Sequence, residues 1–478
     1  MANNDKIYVT FRKDDDRFNG HSLSNQKPTL DSLDRDKFAK DVDGPDPSEK
    51  LQDGNERSFA DVIDSFLSIM DTYRNLIPLT IQLSPMVSGT LANQRLGDYV
   101  KKNASLIEEL ESEDFSVFEI GREHFPALIK RHEETLAAIA GASHLPEIAV
   151  IGLLSVYDAY LAKILGHIFS IRKELVFSSE RELKFSDLVK FGDIAEAKNH
   201  IIEKEVESVL RNSHHDQFTW MESKFGMKLT AGLDIWPEFI ELCERRNLLT
   251  HTGGVVSAQY LKVCKEHKVQ IDAQIGQRLL TDSTYLKHAV QIIGEIGIKL
   301  GHVLWRKFSA SEREFADSHY NALAVDLISG REYKLAENLL DLGVNVFSRE
   351  SKEPNKRMMI INYANAIRLQ GKSQNAKKII EAHDWDASRT DFQICAAAVS
   401  EDMEQLCSLM DRHGRYSEIS MQDYREWPVF RGLRATSEFK ETFERVFGEP
   451  LVRDAKIQAT VTSPRLATRA RDEPDIFH

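Results

Sequence analysis

The side chains best equipped for chemistry gather in one stretch, Trp236 to Val255, WPEFIELCERRNLLTHTGGV, where Arg245, Arg246, Asn247 and His251 precede the pair Gly253 and Gly254. Breaking an RNA phosphodiester by attack of its own 2′-hydroxyl needs a proton carrier that works near neutral pH and a fixed cation facing the charge that builds on the phosphorane. An imidazole, with an unperturbed pKa of about 6.5, suits the first task, and His251 supplies one. A guanidinium is always charged and grips two phosphate oxygens together, which suits Arg246 to the second. Asn247 lies one helical turn before His251 on the same face, placed to orient the imidazole or the phosphate.

The element that must carry these residues is legible around them. Pro237 fits a first helical turn, Trp236, Phe239, Ile240 and Cys243 recur at three-and-four spacing, and the paired glycines supply a C-terminal stop. Arg246 sits about 140° around an ideal helix from His251, so one helix alone does not close a compact site. Arg and His at short spacing are not distinctive in themselves, since Arg313 and His319 share the arrangement. Cations near a helix C-terminus also stabilise it through the macrodipole, each by about 0.3–1 kcal/mol, so a purely structural role stands beside the catalytic one. The distinguishing context is the apolar helix, the polar residue directly after the arginine, and the glycine stop.

In that context the stretch resembles the HEPN superfamily, helical domains of which many are metal-independent endoribonucleases. Their signature, an Arg, a polar residue and a His at one helix end, is matched by Arg246, Asn247 and His251. The resemblance extends to Ile148–Leu165, IAVIGLLSVYDAYLAKIL, similar to the fold's first long helix with the acidic Asp158 midway, and covers roughly residues 124 to 300. It implies an all-α bundle in which two signature helices face each other across a two-fold axis, hence a homodimer acting on RNA with no cofactor and no metal. It also implies roles: His251 moves the proton, Arg246 stabilises the phosphorane, Asn247 orients, and Arg245 and Asp158 support. The family's employment in toxins and in antiviral, abortive-infection defence sets the biological expectation. One departure is visible. A subgroup modified by nucleotidyltransferase antitoxins carries a Tyr two residues after the His, where this chain has Gly253, so control of that kind is not expected.

Asp158 lies in a run apolar nearly all round, where an unpaired carboxylate would cost too much. It must meet a cation or donor, either among Arg245, Arg246 and His251 or on the next helix.

Composition bounds the rest. At 478 residues and 42% hydrophobic the chain can bury sizeable cores, and its length suggests two to four domains. The formal charge of −13 argues against a protein that coats long nucleic acid, while a cleft needs only a few local cations. Four cysteines, Cys243, Cys264, Cys395 and Cys407, are too few for a disulfide framework, and no CxxC or HExxH spacing points to a metal. The N-terminus lacks the apolar region of a secretory signal, and no apolar run is read as reaching the roughly 18 residues that span a bilayer. A cytoplasmic address without membrane contact is the expectation.

Five segments follow in order. Residues 1–57 are polar and Asp-rich and read as a weakly ordered arm with one short strand at Lys6–Arg12. Residues 58–123 read as a helical prefix, begun by Phe59, Val62, Phe66 and Ile69 and punctuated at Leu79–Pro85. Residues 124–308 form the candidate catalytic domain, with a charged connector over 170–192. There His214 and His215 are adjacent, point apart, and read as helix-capping residues. Residues 309–450 change grammar: Leu327, Gly330, Tyr333 and Ala336 match the small-residue and aromatic pattern of a tetratricopeptide-like helix pair. Asn365–Gly371 with Ala376 echoes that pair about 40 residues on, and Phe392–Met410 forms a third, degenerate unit. Trp427–Phe447 then closes the array as a capping helix, and 451–478 read as a disordered tail. Such repeats suit a protein partner or trigger. The competing expectation is a catalytically silent adaptor in which the repeats do the work.

Overall fold

The structure is a computed structural model that describes residues 8–14, 17–24, 58–106, 118–177 and 191–451. The middle of the charged connector, 178–190, the tail from 452, and most of the N-terminal arm lie outside the described residues. Contacts divide the chain into Met1–Arg57 and Ser58–His478. In the first unit two strands, β1 (Tyr8–Asp14) and β2 (Arg17–Ser24), pair antiparallel with Val9 opposite Leu23 and a register irregularity between Phe11 and Lys13. The single strand expected at Lys6–Arg12 is thus one half of a hairpin. Its partner, RFNGHSLS, lacks a clean apolar alternation and so gave no signal.

In the second unit Ser58 and Asp61 form a capping box that starts helix α1 (Phe59–Asn103). This helix runs through Pro78 and Pro85 without a break, so the expected punctuation at Leu79–Pro85 is corrected. It continues through a short strand pair, β3 (Ala104–Leu106) with β4 (Phe118–Ile120), to α2 (Phe125–Ser143), which packs back along it as a hairpin. The central helix α3 (Leu145–Ile171) follows, with Pro146 in its first turn. An 18-residue window of α3 averages a hydropathy of 1.7, long and apolar enough to cross a membrane, which corrects the expectation that no run reaches that length. Here its apolar residues, from Val150 through Tyr157 to Phe169, are buried in the bundle core.

The bundle is completed by α4 (Lys173–Phe177), α5 (Ile194–Leu210), α6 (His214–Phe225), α7 (Trp236–Thr252), α8 (Ala258–Glu266) and α9 (Ser283–Phe308). Helices α1, α3 and α9 pack mutually at its centre. Close approach there depends on glycine: a Cβ at Gly297 would strike the Phe66 ring, and one at Gly301 the Tyr160 hydroxyl. In the space so left Phe66 stacks on Tyr160 at 4.3 Å, and the Tyr160 hydroxyl donates to the Gly297 carbonyl at 2.9 Å. The stretch expected to be a prefix is therefore part of the core, through Phe59, Val62, Phe66 and Met70.

Three helix pairs come next, α10 (Arg313–Ser329) with α11 (Tyr333–Asn345), α12 (Glu353–Arg368) with α13 (Ser373–Glu381), and α14 (Thr390–Val399) with α15 (Met403–His413). The first helices of successive pairs lie side by side. One core runs without interruption from Phe59 to Met359 and Ala366, so the first pair is built into the bundle's own core. A second core begins at Ile361 and ends at Val446. The array ends in α16 (Met421–Glu426), two short 3-10 turns and α17 (Ser437–Phe447), not in one helix from Trp427. Phe430, Phe439 and Phe443 are fully buried in that closure, whereas Trp427 is exposed. Apart from the short strand pairs, the described chain is all-α.

Candidate functional site

Helix α7 carries the candidate residues as its sequence requires. Pro237 occupies the first turn, Phe239, Ile240, Leu242 and Cys243 are buried, and Gly253 adopts the left-handed conformation at φ 60° that glycine reaches without strain. The amide of Gly254, also left-handed, donates to the Leu248 carbonyl at 3.0 Å. Beyond the stop, the Val256 amide donates to the Gln277 carbonyl and the Leu279 amide to the Gly254 carbonyl, and Arg278 pairs with Glu147 on α3 at 2.8 Å. The end of α7 is thereby held against the start of α3.

The five candidates do not gather in one place. Arg246 meets Asp158: its Nη2 lies 3.7 Å from Asp158 Oδ2, close enough to attract and too far for a hydrogen bond. Its Nε is buried with no partner, so among the described residues none of its guanidinium donors makes a hydrogen bond. Asn247 donates to Glu244 Oε1 at 3.2 Å. His251 is exposed and makes no hydrogen bond or ion pair among the described residues. Arg245, expected to support the site, is not brought to it. Its Nε donates to Glu241 at 2.9 Å, its Nη1 donates to the Leu280 carbonyl at 3.1 Å, and its guanidinium covers the Tyr285 ring at 4.5 Å.

Two residues enter the cluster that sequence reasoning missed. His214 is buried at the start of α6, where Ser213 and not the histidine caps the helix, and its Nε2 lies 2.9 Å from Asp158 Oδ1. The carboxylate of Asp158 thus stands between His214 and Arg246. The spacing of His214, Phe218, Met221 and Phe225, all buried, put the histidine on the inner face of its helix, and that periodicity was the available signal. The other is Glu244, whose carboxyl is pushed up chiefly by burial, against the Asn247 hydrogen bond and the neighbouring His214 and Arg246. Cys243 is no nucleophile here, since burial raises its thiol well above the usual value and only Arg246 opposes the shift.

What the arrangement can do follows from its parts. A half-open guanidinium with unspent donors, steadied but not consumed by a carboxylate, can take a phosphate group in bidentate fashion. An accessible imidazole can carry a proton, and it lies on a different side of the helix from Arg246. Compared with protein-family models, curated proteins and solved structures, the chain matches none.

Proposed function

We propose that the chain is a metal-independent endoribonuclease of the HEPN kind, with residues 124–308, packed around α1, as its catalytic bundle and the three helix pairs as a tetratricopeptide-like docking array. The observation that carries this reading is Arg246, a half-buried guanidinium beside Asp158 whose side chain makes no hydrogen bond among the described residues, at the glycine-stopped end of the helix that also exposes His251. An always-charged group with free donors is a costly thing to half-bury unless an anion comes to it.

In the reaction His251 takes the proton of the 2′-hydroxyl as its oxygen attacks phosphorus. Arg246 holds the phosphorane oxygens and Asn247 orients the site. The 5′-oxygen leaves with a proton from a second imidazole, giving a 2′,3′-cyclic phosphate and a 5′-hydroxyl end. Because Arg246 and His251 are turned about 140° apart, the second imidazole belongs to a second copy of the chain, and the working unit is a homodimer. Asp158 holds Arg246 in place between turnovers. The setting that fits is a cytoplasmic toxin or antiphage effector whose trigger binds the helix pairs.

A second reading, a catalytically silent adaptor, draws on the ion pair between Arg246 and Asp158 within one chain. The test is incubation of purified wild type and His251→Ala with RNA, followed by mapping of the new ends, with dimerisation checked by sedimentation. Wild type is expected to leave cyclic phosphate ends and the variant none. Equal degradation by both, or none by either, ends the ribonuclease reading in favour of the adaptor.

A further inference from the structure

The other Arg and His pairing in the sequence, around Arg313 and His319, leads to a buried chain of polar groups that the proposed reaction does not use. His302 and Arg306 stand on α9, Asp317 and His319 on α10, and Asp64 on α1. Arg306 Nη1 lies 3.0 Å from His302 Nδ1, His302 Nε2 lies 3.3 Å from His319 Nδ1, and His319 Nε2 lies 3.1 Å from Asp64 Oδ1. At the inner end Arg306 Nη2 donates to Asp317 Oδ1 at 2.7 Å. His302 is fully buried, and Asp317 and Arg306 nearly so, while the Asp64 side chain reaches the surface.

The chemistry of the two ends fixes every proton between them. A guanidinium cannot accept, so His302 Nδ1 must, which puts its proton on Nε2. That N–H donates to His319 Nδ1, whose own proton then sits on Nε2 and is given to Asp64. The chain is complete only with both imidazoles neutral. A further proton on His319 lands on Nδ1 and faces the Nε2–H of His302, and one on His302 lands on Nδ1 and faces the guanidinium. Either way two donors confront each other and a link opens.

We propose that His302 and His319 form a proton-operated latch that fastens the first helix of the repeat array, α10, to helices α1 and α9 of the bundle, and that acidification releases it. The neighbours are consistent with this. Glu312 is occupied by the Trp305 indole, Arg313 is paired with Glu350, the Tyr320 hydroxyl donates to the Leu339 carbonyl, and His167 on α3 packs its ring against Phe59. Burial first, then the neighbouring His319 and Arg306, hold His302 well below the ordinary imidazole value. A depressed histidine contributes stability that is present above the unfolded value of about 6.5 and lost as pH falls through the folded one.

The test is hydrogen exchange on the full chain at pH of about 7.5 and about 5.5, where α10 is expected to lose roughly ten-fold protection after correction for intrinsic rates while α14, α15 and α17 keep theirs. Nitrogen shifts of the two imidazoles at the higher pH are expected to show the Nε2–H form for both. Asp64→Ala removes the acceptor of the His319 Nε2–H, so α10 is expected to show reduced protection already at the higher pH, whereas Asp64→Asn keeps an acceptor there and is expected to preserve it. Uniform loss of protection, no loss on acidification, an Nδ1–H form at either residue, or unchanged α10 protection in Asp64→Ala overturns the latch.

Discussion

Arg245 and Arg246 are neighbours in the chain and have opposite fates. A turn of about 100° on the helix sends the first into a dry network and the second to a half-open edge. Around Arg245 each group meets a partner: Glu241 accepts from Arg245, from the Tyr260 hydroxyl at 2.6 Å and from the Tyr285 hydroxyl at 2.7 Å. Burial works against the charge of Arg245, yet Glu241 and the two tyrosines outweigh it and raise the guanidinium above its ordinary value. Burial, and then the same carboxylate, pushes both phenols up. Around Arg246 the carboxylate stands off and the donors stay unspent. Residue type does not separate a brace from a binding group here. What the neighbours leave unsatisfied does.

The comparison is open to attack from both sides. Glu241→Ala leaves Arg245 buried without its counter-charge and two hydroxyls without an acceptor, and should cost about 3–5 kcal/mol in denaturant unfolding. A loss near zero would mean that the network is not a brace. Arg246→Ala should behave in reverse, changing stability by under about 1 kcal/mol because no hydrogen bond is lost. Under the proposed ribonuclease function it should lower RNA cleavage by about 10²–10³-fold. An Arg246 variant that unfolds, or one that cleaves normally, removes the distinction between the two arginines.

Much of this was legible in the sequence. The extent of α7, its proline start and glycine stop, the central helix around Asp158, and the helix pairs followed from periodicity and from residues with narrow backbone preferences. Even the pairing of Asp158 with Arg246 was among the expected outcomes, because a carboxylate in an apolar run must find a cation. Beyond reach were facts that depend on which helices become neighbours. His214 is 56 residues from Asp158, and nothing local announces that α6 delivers it there. The fate of Arg245 was hidden for the same reason, since Tyr260 and Tyr285 come from later elements. Pro85 misled in the other direction, as a local preference for breaking a helix was overridden along α1.

The smaller effects lie inside the Arg246 cluster. Asp158→Ala strips the buried His214 of its acceptor and should cost about 1–3 kcal/mol, less than the loss of Glu241, because Asp158 is partly in water. Stability equal to wild type would mean that His214 finds another acceptor and that the cluster is loosely joined. Glu244 sharpens the contrast with Glu241 one turn away. Burial raises its carboxyl, so the folded chain holds that proton more tightly than the unfolded chain does. The stabilisation that results is fully present below the unfolded value of about 4.3 and is lost as pH rises through the raised folded one. At neutral pH the ionised Glu244 is therefore a burden that Glu241, with three donors around it, is not. Glu244→Gln keeps an acceptor for Asn247 and should unfold at the same or a slightly higher temperature than wild type at neutral pH, with the advantage fading as pH falls through the carboxylate range. An advantage that instead grows on acidification would show Glu244 acting as a counter-charge to Arg246, and the cluster would then be a second brace like the one around Arg245.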